Sequence, residues 1–520
     1  MNTWKRFAVV IVTLSLVGLF AVLPATSGCS VNYVESGATG ISGSGDDEDF
    51  LLTGRTLSDF QAVQIDPRSE DSAGPQAVTA ADLNGDGLID LVSAWNQSQP
   101  VQIHLQRRDD QGGTSFETLT LAGNVPAVSF AGVETADFNA DGAMDIAVLI
   151  KISLLPDAGC LDSDLPPEGT LSGLVLLYLG PDDPSQVNQS LAWQELAVEI
   201  SRLPAPETIP STPETEGYTA MRVADVNMDG LQDILVASNT SCDGQASDVL
   251  LFTNQGPGAI QDGTWRGEAL PNPFPRTTIK DIRLADIDND GDLDIVATFP
   301  DAPSMNVRWF RNPTVDEPDD FHVSDGTWAV GAIAQIGTGA DVIDVGDIDQ
   351  DGRPDVVVRS TEGQLIQWLQ NPREVTTSPV RNIPWRVYTL AEFTDRDPQA
   401  IALVDINFDG QLELIATAEG GLAWFDSQAA DSVFDQWQEN LIVDDSPDDT
   451  GGMDPQQATT DPLVDPNAIV EDDTTLMNTI YPVDLDGDGA QDLLVPLDRA
   501  GLSGLTNDAL VWFRNLRDPG

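Results

Sequence analysis

Asp82-Leu83-Asn84-Gly85-Asp86-Gly87-Leu88-Ile89-Asp90 is the stretch that decides the fold. Its oxygen-bearing side chains stand at positions 1, 3, 5 and 9 of a nine-residue loop, with glycine at position 6. The pattern returns six times, starting at Asp137, Asp225, Asp286, Asp347, Asp405 and Asp484. Successive copies start 55, 88, 61, 61, 58 and 79 residues apart, which defines a short core unit with insertions in some copies. Self-similarity at such a period means stacked units that share one continuous core. It overrides the roughly three domains that a chain of this length otherwise suggests.

The residue types point to calcium. That ion takes six to eight hard oxygen ligands, and alternate side chains of a tight loop converge on one point. Glycine at position 6 permits the positive φ of the sharp turn. The position-7 carbonyl and the acid at 9 complete a ligand set, so up to seven Ca²⁺ ions are expected. The first site is Asp82, Asn84, Asp86, the Leu88 carbonyl and Asp90; the second is Asp137, Asn139, Asp141, Ala143 and Asp145. The third is Asp225, Asn227, Asp229, Leu231 and Asp233; the fourth is Asp286, Asp288, Asp290, Asp292 and Asp294. Asp347, Asp349, Asp351, Arg353 and Asp355 form the fifth, and Asp405, Asn407, Asp409, Gln411 and Glu413 the sixth. Asp484, Asp486, Asp488, Ala490 and Asp492 form the seventh. One copy alone would also suit a plain hairpin turn, since Asp, Asn and Gly are ordinary turn residues. Seven copies that all keep an acid at position 9 leave that explanation little room.

An EF-hand needs Glu at position 12 and flanking helices. Here position 12 is Ser93 in the first copy and Ala297 in the fourth. The flanks Ile282–Asp286 and Asp294–Phe299 are short, apolar and partly β-branched, so they read as the two strands of a hairpin. A third strand is apolar and aromatic and often ends in Asn, as in Trp309–Asn312, Trp368–Asn371 and Trp512–Asn515. A fourth opens with Phe116, Trp193, Trp265, Trp328, Trp385 or Trp437. That aromatic stripe suits packing between units better than a ligand platform. The fold class is therefore all-β: a seven-bladed β-propeller of four-stranded antiparallel blades. The last repeat ends without a fourth strand, while a spare one, Phe60–Ile65, precedes the first. The expectation is that this segment pairs with Ala509–Asn515 and closes the ring.

These loops and strands resemble the FG-GAP/VCBS repeat family, whose best-known members are integrin α-chain propellers and bacterial surface proteins. The resemblance spans roughly residues 55–515. It departs at position 3, where Asn replaces Asp in copies one, two, three and six, and at Glu413; the Phe-Gly and Gly-Ala-Pro strings that name the family are not evident. It implies the propeller and calcium, but not a ligand. Labelling the strands A to D from the axis outward puts every acidic loop on one face. The insertions 153–173 (between B and C), 203–217 and 444–475 (both between D and A) then fall on the other. By analogy with integrin-like propellers that opposite face is the expected binding surface for a glycan or a protein.

At the N-terminus, Lys5 and Arg6 precede an apolar stretch from Phe7 to Leu23, the layout of an export signal. Thr26-Ser27-Gly28-Cys29 resembles a bacterial lipobox, which would make Cys29 a lipidated N-terminus; ordinary cleavage and an uncleaved anchor are the alternatives. Ser30 then favours the outer membrane, with the chain periplasmic or surface-exposed. Residues 1–29 are assigned to the signal, 30–54 to a Gly/Ser-rich acidic tether, and 55–520 to the propeller. Of the three cysteines, Cys160 and Cys242 remain for a disulfide. A formal net charge of -61 repels nucleic acid and anionic lipid, so membrane contact is expected only through the anchor, and a monomer is expected. Only two histidines occur, His104 and His322, far apart around the ring, and no nucleophile elbow, phosphate loop or zinc cluster is evident. A binding module is favoured. A carboxylate-based enzyme cleaving polysaccharide or phosphoester is the first alternative, and a structural envelope protein the second.

Overall fold

A computed structural model describes residues 56–517 apart from connecting segments, the longest being 152–172, 199–217, 239–247, 316–327, 373–384, 444–474 and 500–508. Cys29, Cys160, Cys242 and His322 lie outside the described residues, as do the signal, the tether and most of the three insertions.

The chain forms seven antiparallel sheets. In the fourth blade Ile282–Ala285 (A), Asp294–Thr298 (B), Val307–Arg311 (C) and Ala329–Ala334 (D) pair in that order. Five further blades repeat it, from Ala73–Thr120, Ser129–Val198, Tyr218–Ala269, Ala340–Glu392 and Pro398–Val443. Strand B is covered on both faces, which is why Asp294–Thr298 is buried throughout and apolar but for its two ends. The sequence therefore reads there as a short continuous run rather than an alternation.

The seventh blade is assembled from both ends of the chain. Tyr481–Val483, Asp492–Arg499 and Ala509–Asn515 supply strands A to C. Phe60–Gln64 supplies D, in the register Phe60↔Asn515 and Gln64↔Val511, and the Ile65 amide continues the ladder to the Leu510 carbonyl. The expected closure is thus present. Two short pieces, Thr56–Leu57 and Thr475–Leu476, extend this sheet further.

The core is divided among the seams. Each of seven apolar clusters joins facing sheets of two adjacent blades. Blade four packs on blade five through Val296, Trp309, Ile343 and Val358. Blade seven packs on blade one through Leu494, Trp512, Leu91 and Trp95. Phe116, Trp193, Trp328, Trp385 and Trp437 are buried in such seams, as the packing interpretation of the aromatic stripe expects.

Candidate metal centres

Each acidic loop is built by its own amides. In the first, the Asp86 amide donates to Asp82 Oδ1 at 3.1 Å and to Asn84 Oδ1 at 2.9 Å. The Gly87 amide reaches Asp82 Oδ2, and the Leu88 amide reaches Asp86 Oδ1. The same bonds recur in the loops at Asp137, Asp225 and Asp405. Side chains at 1, 3 and 5 are therefore turned inward before any ion enters. Three of the sites carry tight carboxylate triplets: Asp286, Asp288 and Asp290; Asp347, Asp349 and Asp351; Asp484, Asp486 and Asp488. In each triplet, one oxygen per residue lies within 4.8 Å of the others.

Two positions were only partly read from sequence. The position-6 glycines have φ of 84–103°, and a Cβ on Gly87, Gly142 or Gly291 would meet nothing within 4 Å. The demand there is conformational, not steric. Position 4 is also left-handed in every loop, with φ of 56–69°. Glycine fills it at 85 and 487 and Asn, which tolerates that region, at 289, but Ala140, Met228, Gln350 and Phe408 fill the rest under strain.

The acid at position 9 does structural work. Asp294 is fully buried, and its two oxygens accept the amides of Ile287 and Asn312, at 3.1 and 2.7 Å. Position 9 thereby ties the loop to the end of strand C. The equivalent bonds hold Asp90, Asp145, Asp233, Asp355 and Asp492. Glu413, one methylene longer, accepts the Ile406 amide and the Asn407 side chain. Burial pushes these carboxyls up, to about 7 for Asp90 and Asp492 and about 8 for Asp294 and Glu413, despite the amides that pull the other way.

The Asn that ends strand C was noticed in sequence without a role. Asn312 Nδ2 donates to the Leu293 carbonyl of its own loop and to the Val226 carbonyl of the preceding blade's loop. Asn254, Asn371 and Asn515 repeat this, and Gln106 makes the inter-blade bond across the closing seam, to Leu485. Each acidic loop with such a neighbour is thus part of a seam.

A hard divalent cation fits this donor set. The loops offer only oxygen, and in the fourth the Oδ1 atoms of Asp288 and Asp292 are buried without a hydrogen-bond donor. Asp82, Asn84, Asp86 and their counterparts would hold the ion, and its charge would offset the repulsion within each cluster.

A second polar assembly lies on the axis, and nothing in the sequence reading pointed to it. Three residues before the successive loops stand Thr79, Glu134, Arg222, Arg283, Asp344, Ala402 and Tyr481. Arg222 pairs with Asp281 at 3.0 Å and lies 4.0 Å from Glu134; Arg283 reaches Asp281 at 2.6 Å and Asp344 at 3.4 Å. Asp281 Oδ2 and Asp344 Oδ2 accept amides of the next blades, from Ile343 and Leu403. Arg359 pairs with Asp341 and donates to the carbonyls of Pro398 and Gln399. Glu134, Arg222, Asp281, Arg283, Asp344 and Arg359 line a cavity of about 510 Å³ that also meets Thr219, Ala400 and Tyr481. Burial raises Asp281 and Asp344 to about 6, against the pull of the arginines and amides. His104, on strand C of the first blade, is buried between Ser93 and Thr118, and burial lowers it to about 3.

Seven radial blades with an acidic loop between A and B define a loop-decorated β-propeller. The FG-GAP-like repeat model matches residues 82–148, 225–297 and 347–416, each match running from one acidic loop into strand B of the following blade. The chain is an FG-GAP-repeat β-propeller. Among solved structures it is similar to two crystal structures of BBS1N in complex with ARL6DN, one soaked with mercury and one with lead. Both are 12% identical and cover 89% of this chain and 100% of that one, with TM-scores of 0.45 and 0.43. No curated protein sequence matches the chain.

Proposed function

We propose that this chain is a calcium-loaded binding module of the cell envelope, exported and lipid-anchored through Cys29. It recognises a glycan or a protein through the face opposite the acidic loops. The FG-GAP propeller fold suggests a binding or structural module. The observation that carries the calcium part is the inward convergence of carboxylate oxygens in loops held shut by their own amides, with buried oxygens in the fourth loop that no donor reaches. Calcium at 100 times its Kd would add about 2.7 kcal/mol per site if the unfolded chain binds none. Melting of a metal-free sample with and without added calcium tests this, and a Tm indifferent to calcium would refute it.

The axial cavity gives the enzyme reading its one specific support, since it gathers arginines, a tyrosine and paired acids. Against catalysis, Asp281 and Asp344 already spend both oxygens on arginines and amides. A glycan array and a polysaccharide and phosphoester hydrolysis screen, both with calcium, separate the two. Turnover abolished by Glu134→Gln would favour the enzyme. Retention of a glycan without turnover would favour the binder.

A further inference from the structure

One strand-C residue varies together with position 3 of the loop across the seven blades. It follows the residue that pairs with the first residue after position 9, as Arg311 follows Phe310 opposite Ile295. Where position 3 is Asp (288, 349 and 486), that residue is Arg311, Gln370 or Arg514. Where position 3 is Asn (84, 139, 227 and 407), it is Leu105, Leu179, Thr253 or Asp426. At this register position every Asp faces a long donor and no Asn does, although Arg107, two residues further along strand C of the first blade, lies 3.5 Å from Asp86.

The contacts explain the pairing. Arg311 Nε donates to Asp288 Oδ2 at 2.6 Å and its Nη2 to Asp290 Oδ2 at 2.7 Å, with all three side chains less than a tenth exposed. Gln370 Nε2 reaches Asp349 Oδ2 at 2.6 Å, and Arg514 Nε lies 2.5 Å from Asp486 Oδ2 as an ion pair whose angle does not make a hydrogen bond. In three of the Asn loops the donor comes from position 3 itself: Asn139 to Asp141, Asn227 to Asp229 and Asn407 to Glu413. A buried carboxylate with neither donor nor counter-charge is costly, and a guanidinium that spans two carboxylates satisfies both at once.

We propose that the strand-C side chain is the resident partner of the position-3 carboxylate. Arg311 and Arg514 are built-in counter-cations that hold the fourth and seventh loops in shape when calcium is scarce. The first part stands without a metal; the second rests on the calcium reading. A guanidinium beside the ion repels it, so these two loops depend on calcium less than loops of the same carboxylate count would without the arginine.

The test is a double-mutant cycle on the full chain, Asp288→Asn and Arg311→Leu, melted in chelator and again in calcium. The double variant reproduces the Asn–Leu pair of the first blade. In chelator, Arg311→Leu should lower Tm by about 3–5 °C, and adding Asp288→Asn should restore most of that loss. Additive losses in the cycle would overturn the pairing. In calcium the Arg311→Leu deficit should shrink, because the ion replaces the lost charge; an equal deficit in both conditions would overturn the counter-cation role and leave only packing. If the parent protein ignores calcium, the calcium reading falls and takes the second part with it, while the chelator cycle still decides the first. Asp486→Asn with Arg514→Leu repeats the cycle should the fourth blade fail to fold.

Discussion

The seven inner strands end in acidic loops that are nearly copies of one another, while three residues upstream, on the axis, the same strands are mostly dissimilar. At the loop end, an acid at 1, 5 and 9 and a glycine at 6 appear every time. At the axial end the series is Thr79, Glu134, Arg222, Arg283, Asp344, Ala402 and Tyr481, with charge confined to blades two to five. The contrast separates two jobs. What is repeated builds a blade and its seam, and must be the same in each. What is unrepeated makes one half of the channel unlike the other, which a ring of identical blades could not do.

The largest expected effect tests the ring on which both ends depend. Deleting residues 55–66 removes the strand that covers Ala509–Asn515 and takes buried Phe60, Ala62 and Ile65 with it. A loss above about 5 kcal/mol and aggregation through the bared edge are expected, although no acidic loop is touched. A deletion that melts and elutes like the parent would mean that the ring closes without this strand.

The second test uses pH to tell the two ends apart. The position-9 acids sit at about 7 to 8 and the axial Asp281 and Asp344 at about 6, all above the ordinary 3.8 or 4.5. Groups raised in the fold hold protons that the unfolded chain has released, so their contribution is full below about 4 and is lost as pH rises through the folded value. In chelator, stability should therefore climb as pH falls from about 8 to 5, first from the loops and then from the axis. With calcium the loops' share should reverse, since protons then compete with the ion, and only the axial window near 6 should remain. Parallel Tm–pH curves in the two conditions would show that the loops do not hold calcium.

The axis itself is probed by Arg222→Met and Asp281→Asn, singly and together. Their pair is only partly screened, at 26% and 11% side-chain exposure, and a coupling of about 1–2 kcal/mol is expected. Tyr481→Phe, on the uncharged half, should stay within about 0.5 kcal/mol. Smallest of all is Met228→Asn, which gives a strained, exposed position 4 the residue that the fourth loop already has there. A gain of about 0.5–1 kcal/mol is expected by thermal melting; a loss would show that the left-handed turn is not strained.

Much of this was legible in the chain. The blade count followed from nine-residue motifs, and the closing strand followed from bookkeeping of which repeat lacked a D strand. Position 4 was missed because Ala140, Met228 and Phe408 carry no sign of a left-handed backbone; only comparison with Gly85 and Gly487 in the same slot hints at it. The terminal Asn of strand C was visible, but its role was not, since Asn312 bonds to Val226, 86 residues away. The Arg–Asp covariation was open to reading once the strand register said which residues to compare.

By itself the sequence determined what is local: the oxygen-rich loops, the hairpins around them and the number of times both occur. Those features arise from contacts within about ten residues, which chain order guarantees. Only the tertiary structure decided the axis, where Arg222 meets Asp281 and Arg283 meets Asp344, 59 and 61 residues apart. Which charges meet there depends on the angle between neighbouring blades and on the closure of the ring, and neither is set by any short stretch of chain.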